Sequence, residues 1–240
     1  MDSERNPYLV PASIVVAGLL IAAAMVYTRP GLKLFSAPSG SEDDASPPPV
    51  FASCLDSGKH RKAVEAAAEE GKNLGVSGTP ASFINDRMVS VAFQFSSFQE
   101  QIEAELASQN SPLPDALKIR ADDFVLGSPA AKVMVVEYGD FQCPFCGKFF
   151  KTAGQQLKET YLKSGKAAFV WRDFAFLGEE SIRAAEAARC AGEQGKFWEY
   201  HDYLFNYIWD NYYSKNISGE NVGAFSDRNL KSFAATLGLD

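Results

Sequence analysis

Glu137-Tyr138-Gly139-Asp140-Phe141-Gln142-Cys143-Pro144-Phe145-Cys146 joins two patterns that together predict a fold. It follows Lys132 to Val136, a short valine-rich run typical of a buried strand. It precedes Lys148 to Leu162, where apolar residues recur mostly three to five positions apart, as in an amphipathic helix. The Cys-x-x-Cys motif is therefore expected where a strand passes into a helix.

Cys143 would then lie at the N-terminus of that helix, where unpaired backbone N–H groups and the helix dipole favour an anion. A free cysteine has a pKa of ~8.5, and the thiolate is the attacking species in disulfide exchange. Pro144 suits the first helical turn, because its missing N–H costs no hydrogen bond there. We expect Cys143 and Cys146 to cycle between a dithiol and a disulfide.

A zinc site is the main alternative for this motif, since Cys-x-x-Cys also opens zinc ribbons. Such a site needs further ligands, but Cys54, Cys190, His60 and His201 each stand alone in the sequence. His201 lies in an aromatic, helix-like run, where a packed histidine is commoner than a ligand. Redox chemistry is favoured over a zinc site or an inert cysteine pair, and we predict no metal and no cofactor.

Val135 to Cys146 resembles the active-site strand and helix of the DsbA-like branch of the thioredoxin superfamily. Two further segments resemble that branch, Phe169 to Phe174 and Gly75 to Asn85. The resemblance extends over roughly residues 50–107 and 122–240. It implies an α/β, thioredoxin-like fold with a helical insertion.

The order of these segments differs from that of the family. There the Thr-Pro segment follows the Cys-x-x-Cys half, whereas here residues 50–107 precede residues 122–240, with 108–121 as the linker. We predict a circularly permuted element order. Such a rearrangement is tolerated when the old chain ends lie close together and the new ends fall in an exposed loop.

The resemblance also implies a peptide-binding site around the cysteines. Pro80 would be a cis-proline facing the two sulfurs, with a plain trans turn as the alternative. Thr79 would present backbone polar groups to a bound peptide, and Pro144 and Phe145 would complete the substrate-binding residues.

Two further roles follow from the resemblance. Glu137 would be a half-buried carboxyl with a raised pKa that moves protons for Cys146, the alternative being a solvent-facing residue at a strand end. Cys54 and Cys190 would form a structural disulfide, the alternative being two buried free thiols.

The chain begins with a short tail, residues 1–8, followed by an uncharged stretch, residues 9–27, whose 19 residues suit one transmembrane helix. A cleaved signal peptide and a soluble core helix are the alternatives. Residues 28–49 are rich in Pro, Ser and acidic residues and predict a flexible tether. Because disulfides persist outside the reducing cytosol, we expect a single-pass membrane protein with its catalytic domain on the extracytoplasmic side.

The net charge of −7 and the absence of basic runs argue against a nucleic-acid partner. We predict an enzyme, a thiol–disulfide oxidoreductase that oxidises cysteine-containing client proteins and is recycled by a membrane redox partner. The alternatives are a disulfide reductase or isomerase using the same cysteines, and a non-catalytic, membrane-tethered peptide-binding or chaperone module. The permuted order also allows a swapped dimer.

Three local predictions concern the helices and turns. Residues 51–75 read as one helix, Ser97 to Glu100 reads as a capping box that starts a helix, and Asn85-Asp86 reads as a turn into a strand reaching Phe93.

Overall fold

A five-stranded sheet lies at the centre of the described part of the chain, residues 50–89, 94–108 and 115–240 of the computed structural model. The strands, in the spatial order β2-β1-β4-β5-β3, are β1 (Ala81–Ile84), β2 (Arg87–Met88), β3 (Phe124–Gly127), β4 (Val133–Gly139) and β5 (Ala167–Asp173). β4 and β5 are parallel, and the other neighbours are antiparallel. Every residue of β4 is buried, because helices cover both faces of the sheet.

Helices surround this sheet on both faces and at one end. They are α1 (Val50–Asp56), α2 (Arg61–Asn73), α3 (Phe95–Ala107), α4 (Pro144–Lys151), α5 (Ala153–Leu157), α6 (Glu179–Glu193), α7 (Phe197–Asn211) and α8 (Asp227–Thr236). α3 and α5 pack on the face that carries Val133 and Val135, and residues near the end of α2 pack on the face that carries Val136 and Tyr138. Helices α1, α6, α7 and α8 form a separate helical layer with its own aromatic core.

The described residues of 50–107 and of 122–240 together build this one fold. β1 pairs with β4, so that Ser82 lies opposite Glu137. α1 packs against α6 and α8, and the backbone N–H of Phe51 donates to the carbonyl of Asp240. The Thr79-Pro80 segment, which precedes β1, is thereby brought to the end of β4.

A disulfide joins α1 to α6. The sulfurs of Cys54 and Cys190 are 2.07 Å apart, and their Cα atoms are 5.9 Å apart. The two residues are 136 positions apart in the sequence. The bridge therefore connects the first described helix to the helical layer.

Replacing both bridging cysteines by alanine is expected to lower the free energy of unfolding by about 2–4 kcal/mol, because the unfolded chain loses a long covalent loop. Urea denaturation of the full chain before and after the double change measures this difference. An unchanged denaturation midpoint would contradict a stabilising role for the bridge.

Three helix predictions need correction. The helix predicted over residues 51–75 is two helices, since Gly58 adopts a left-handed conformation with φ 62° between them. The helix predicted to reach Leu162 breaks at Thr152 and ends in a π-helical turn. The capping-box prediction was wrong: α3 starts at Phe95, whose ring packs 6.2 Å from that of Tyr161, and its N-cap residue makes no side-chain cap.

Other predictions fall partly or wholly outside the described residues. The predicted tail, anchor and tether, residues 1–49, lie outside them, as does the end of the strand predicted to reach Phe93. Asn85 does turn the chain between β1 and β2, with φ 51°. No helix within the described ranges has the length and apolar character needed to cross a bilayer.

Candidate active site

The two free thiols of the described chain lie where β4 passes into α4. Cys143 is the N-cap residue of α4, with extended backbone angles, and Pro144 occupies the first turn. Asp140 holds this turn in place, because its carboxylate accepts the backbone N–H groups of Gln142, Phe176 and Leu177. The strand-to-helix placement predicted for the motif is thus found in the structure.

The Thr79-Pro80 segment faces the first sulfur. The peptide bond between these two residues is cis. The thiol of Cys143 donates to the carbonyl of Thr79, with sulfur and oxygen 3.3 Å apart. The fold therefore brings together two predicted site elements that are 64 residues apart in the chain.

Cys143 is poised to ionise near neutral pH. Its pKa falls to about 7, chiefly because the Cys146 thiol donates to its sulfur; burial opposes this, and the Thr79 side chain and the backbone N–H groups of Cys146 and Phe145 add to the lowering. The Thr79 hydroxyl is buried and has no hydrogen-bond partner among the described residues, so it can turn towards this sulfur. Neighbouring donors thus stabilise the thiolate.

Cys146 has the opposite character. It is completely buried, and burial together with the neighbouring Cys143 raises its pKa well above the usual value. Cys146 therefore stays a thiol until a base removes its proton.

Glu137 is a buried carboxyl that interacts with Cys146 and can remove its proton. It is 1% exposed, and burial followed by the charge of Cys143 raises its pKa well above the usual range. It lies in a cross-strand row with Ser82 on β1 and Trp171 on β5, so all three side chains share the sheet face that α4 covers. The alternative of a solvent-facing residue is not what the structure shows.

Two oxygen atoms in this row lack hydrogen-bond partners within the described part of the chain, Glu137 Oε2 and Ser82 Oγ. Buried polar atoms without partners are uncommon and call for an explanation, such as a catalytic role or a water molecule. Ser82 was not identified from the sequence, although its place two positions after Pro80 on a strand facing β4 was the available signal.

The helical layer and the loop after α7 also make hydrogen bonds to the active-site turn. The sequence patterns do not predict these contacts. The Gln142 side chain donates to the carbonyl of Gly219 at 3.0 Å and accepts from Ser181 at 3.0 Å. The Tyr213 hydroxyl donates to the carbonyl of Gln142. Gln142, the residue before Cys143, is therefore held by hydrogen bonds from α6 and from the residues after α7.

An open groove of about 450 Å³ lies beside the motif. Its walls include Pro144 and Phe145 from α4, Trp209 and Tyr213 from the end of α7 and beyond, and Ile217 from the following loop. Phe145 is 56% exposed and Ile217 is 52% exposed, so the groove presents apolar surface next to Cys143. Concave apolar surfaces of this kind often bind ligands or partner segments.

Potential metal ligands come together at Cys54, His60 and Cys190, whose donor atoms lie within 4.8 Å of one another. The two sulfurs are bonded to each other, and His60 lies 2.8 Å from a carboxylate oxygen of Glu193. With the thiolates unavailable, this group has one imidazole and one carboxylate to offer a metal, too few for a structural zinc site.

The pKa of Cys143 leads to a prediction about its alkylation. The rate of modification by iodoacetamide should rise with pH, reach half its maximum near pH 7, and then level off, because the thiolate is the reacting form. Cys146 should stay unmodified throughout this range. Mass spectrometry of the reduced full chain measures both, and a midpoint above pH 8.5 would contradict a stabilised thiolate.

Comparisons with known proteins identify the family of the chain. A family model described as thioredoxin matches residues 36–104 and 120–235, together more than half of the chain. The Na⁺/H⁺ antiporter NhaA 1 of Salinispora arenicola is 43% identical over 84 residues, which cover 34% of this chain and 12% of that protein. A protein of Rickettsia bellii, provisionally named a protein-disulfide oxidoreductase, is 34% identical over 106 residues, covering 44% of this chain and 40% of that protein.

Among solved structures, alpha-DsbA1 of Wolbachia pipientis is 26% identical, with a TM-score of 0.42, over 52% of this chain and 58% of that one. The chain matches well under two thirds of the length of the two relatives named above. The fold, the motif and the family match lead to one assignment: the chain belongs to the thioredoxin family.

Proposed function

We propose that this protein is a thiol–disulfide oxidoreductase that exchanges disulfides with cysteine-containing proteins through Cys143 and Cys146. The observation that carries the proposal is the contrast between the two sulfurs. Cys143 lies at a helix N-terminus with a lowered pKa and faces the Thr79 carbonyl, whereas Cys146 is buried with a raised pKa. A nucleophile and a resolving thiol need these opposite properties.

In the oxidising direction, a client thiolate attacks the sulfur of Cys143 in the enzyme disulfide. The bond between Cys143 and Cys146 breaks, a mixed disulfide forms, and Cys146 leaves as a thiolate that takes a proton from Glu137. A second client thiolate then attacks the client sulfur, so the client leaves as a disulfide and Cys143 leaves as a thiolate. In the reducing direction the steps reverse, and Glu137 accepts the proton of Cys146.

Oxidation of extracytoplasmic proteins is our first proposal for direction. Disulfide reduction or isomerisation is the second, because a Cys143 pKa of about 7 is less depressed than the ~3.5 found in a strongly oxidising protein of this kind. The reduction potential of the Cys143–Cys146 pair separates them. A value near about −120 mV supports the oxidase, and one near about −270 mV contradicts it. An insulin-reduction assay gives a second readout.

We propose that client peptides bind along the apolar groove and across the Thr79-Pro80 segment. Pro144 and Phe145 line the groove next to Cys143, and Thr79 lies beside the same sulfur. An apolar wall near an exchange site suits unfolded clients, which expose apolar side chains. A peptide-binding module without chemistry would keep this groove while leaving the sulfurs inert.

We also propose a permuted order of family elements, a single-pass membrane anchor, an extracytoplasmic catalytic domain and a membrane redox partner. The pairing of β1 with β4 and the contact between Phe51 and Asp240 support the permuted order, because the displaced portion meets the other end of the chain. The disulfide between Cys54 and Cys190 supports an oxidising compartment. A swapped dimer stays a prediction, which light scattering of the full chain in detergent tests.

A further inference from the structure

A small cavity lies beside Glu137, the carboxyl proposed to serve the buried thiol. Glu137 lines it, together with apolar side chains from β3, α4 and α5. Its volume is about 40 Å³, measured as space open to the centre of a water molecule. On this measure one water needs ~10–15 Å³ and two to four polar partners, so the cavity has room for more than one.

Polar groups from α7 and from the π-helical turn after α5 line the same cavity. His201, Asp202 and Lys158 line it. His201 Nδ1 lies 2.9 Å from Asp202 Oδ1, and Lys158 Nζ lies 3.5 Å from Asp202 Oδ2. The His201 side chain is 6% exposed, whereas that of Asp202 is 35% exposed, so the pair leads from the interior to solvent.

The position of His201 is fixed by aromatic neighbours rather than by further polar contacts. Its ring lies edge-on to that of Trp171, with centroids 4.9 Å apart, and Trp171 is the cross-strand neighbour of Glu137. Further ring contacts come from Trp198 at 5.1 Å and Phe205 at 5.0 Å. When Nδ1 donates to Asp202, Nε2 is the ring nitrogen that can exchange a proton with water.

We propose that His201 and Asp202 connect Glu137 to solvent, through water in this cavity, so that Glu137 regains or loses its proton in every catalytic cycle. This inference rests on the proposed function and extends it. The aromatic run around His201 in the sequence predicts only a packed histidine. His201 and Asp202 act through Glu137 and do not touch the reacting sulfurs.

In the reducing direction one proton travels from Cys146 to solvent. Cys146 gives its proton to the Glu137 carboxylate and attacks the mixed disulfide. The Glu137 proton passes to cavity water, which gives a proton to His201 Nε2; His201 Nδ1 gives its proton to Asp202, and Asp202 releases it to solvent. The oxidising direction runs the same transfers inward, and each passage leaves the neutral imidazole in its other tautomer. One proton moves inward during client oxidation and one moves outward when the proposed redox partner reoxidises the cysteines, so His201 returns to its starting tautomer in each complete cycle.

The charged groups around this route are consistent with a neutral imidazole at rest. Burial lowers the pKa of His201, while its hydrogen bond to Asp202 works against that effect; the charge of Lys158 lowers it further and that of Asp173 raises it. Asp173 is itself paired with Arg189 at 2.6 Å. At the inner end, Cys143 and Cys146 are the titratable groups that interact with Glu137.

The test uses the full chain and measures the rate at which Cys146 resolves a mixed disulfide on Cys143, as a function of pH and buffer concentration. The variants are His201→Phe, which keeps an aromatic ring among its aromatic neighbours, Asp202→Asn and Glu137→Gln. The matched control is Asp210→Asn, a change of the same kind on the same helix, at a side chain that is 64% exposed and pairs with Lys151. Imidazole and formate serve as small proton carriers.

We expect His201→Phe and Asp202→Asn to slow resolution by about tenfold or more, below the ~10²–10⁴-fold typical of a directly acting acid or base. Added imidazole or formate should restore much of the rate, whereas Asp210→Asn should match the unmodified chain. The alkylation midpoint of Cys143 should not move. Rescue by small carriers distinguishes proton transfer from a packing defect, which carriers do not repair.

Two results would overturn the relay. One is an unchanged resolution rate in both His201→Phe and Asp202→Asn while Glu137→Gln is slow. The other is a slow rate that no carrier restores in Asp202→Asn, the more exposed of the two positions. A different result, no disulfide exchange by the unmodified chain with any client, would instead defeat the proposed function.

Discussion

Cys143→Ser is expected to reduce both client oxidation and client reduction to the background rate measured without protein. A serine hydroxyl is far less acidic than a thiol and forms no disulfide, so no mixed disulfide can arise at this position. Activity assays with a peptide dithiol and with insulin, run on the full chain, measure the loss.

The fold should survive this change, because oxygen replaces sulfur in a nearly isosteric side chain and the hydrogen bond to the Thr79 carbonyl can be kept. Circular dichroism and thermal melting of the reduced forms provide the control. Exchange activity that persists in a folded Cys143→Ser protein would defeat the enzyme proposal. The groove predicts that the Cys143→Ser protein still binds peptides, whether or not the enzyme proposal holds.

Arg172→Met is expected to lower the free energy of unfolding by about 3–5 kcal/mol, the usual cost of removing one partner from a buried ion pair. Arg172 is completely buried and contacts Asp123 at 2.9 Å and Glu70 at 2.8 Å. It also donates to the carbonyl of Lys118 at 2.9 Å. Burial works against the charge of Asp123, but its hydrogen bonds to Arg172 and to the backbone of Arg120 outweigh that effect and lower its pKa.

This network connects residues 50–107 to residues 122–240, because Glu70 lies on α2 and Arg172 lies on β5. Arg61→Ala is the matched control: Arg61 on the same helix forms a forked pair with Glu179, but its side chain is 39% exposed. Exposed pairs contribute below about 1 kcal/mol. Urea denaturation compares the two variants, and equal losses of stability would contradict the central role assigned to Arg172.

Much of the redox site could be predicted from sequence because its signals are local. A valine-rich run, two cysteines three positions apart and a following amphipathic pattern are enough to place Cys143 at a helix N-terminus. Glu137, inside the apolar run, could be predicted on the same strand, and the structure shows it buried and interacting electrostatically with both cysteines. The contact with Thr79 needed the family resemblance, since no local pattern links segments so far apart.

The remaining features depend on tertiary packing, which local patterns do not encode. His201 lies in an aromatic run whose spacing predicts only a packed helix. Its proposed link to Glu137 arises because its ring contacts Trp171 on β5 and lines the same cavity as Glu137. Gln142 and Tyr213 meet only once the helical layer is in place. The early start of α3 at Phe95 has the same origin, since contact with Tyr161 outweighs the capping signal two residues later.

Trapping a mixed disulfide tests most directly whether Cys143 is the reacting sulfur. The reduced full chain carrying Cys146→Ala is mixed with glutathione disulfide, and the product is mapped by mass spectrometry. The Cys143 thiolate should displace one glutathione thiolate and keep the other glutathione as a single, stable adduct. The adduct should form faster as the pH rises towards ~8.5, the pKa of a free cysteine, because this variant lacks the Cys146 thiol whose hydrogen bond lowers the pKa of Cys143. A chain that stays unmodified at Cys143 across this range would contradict the account.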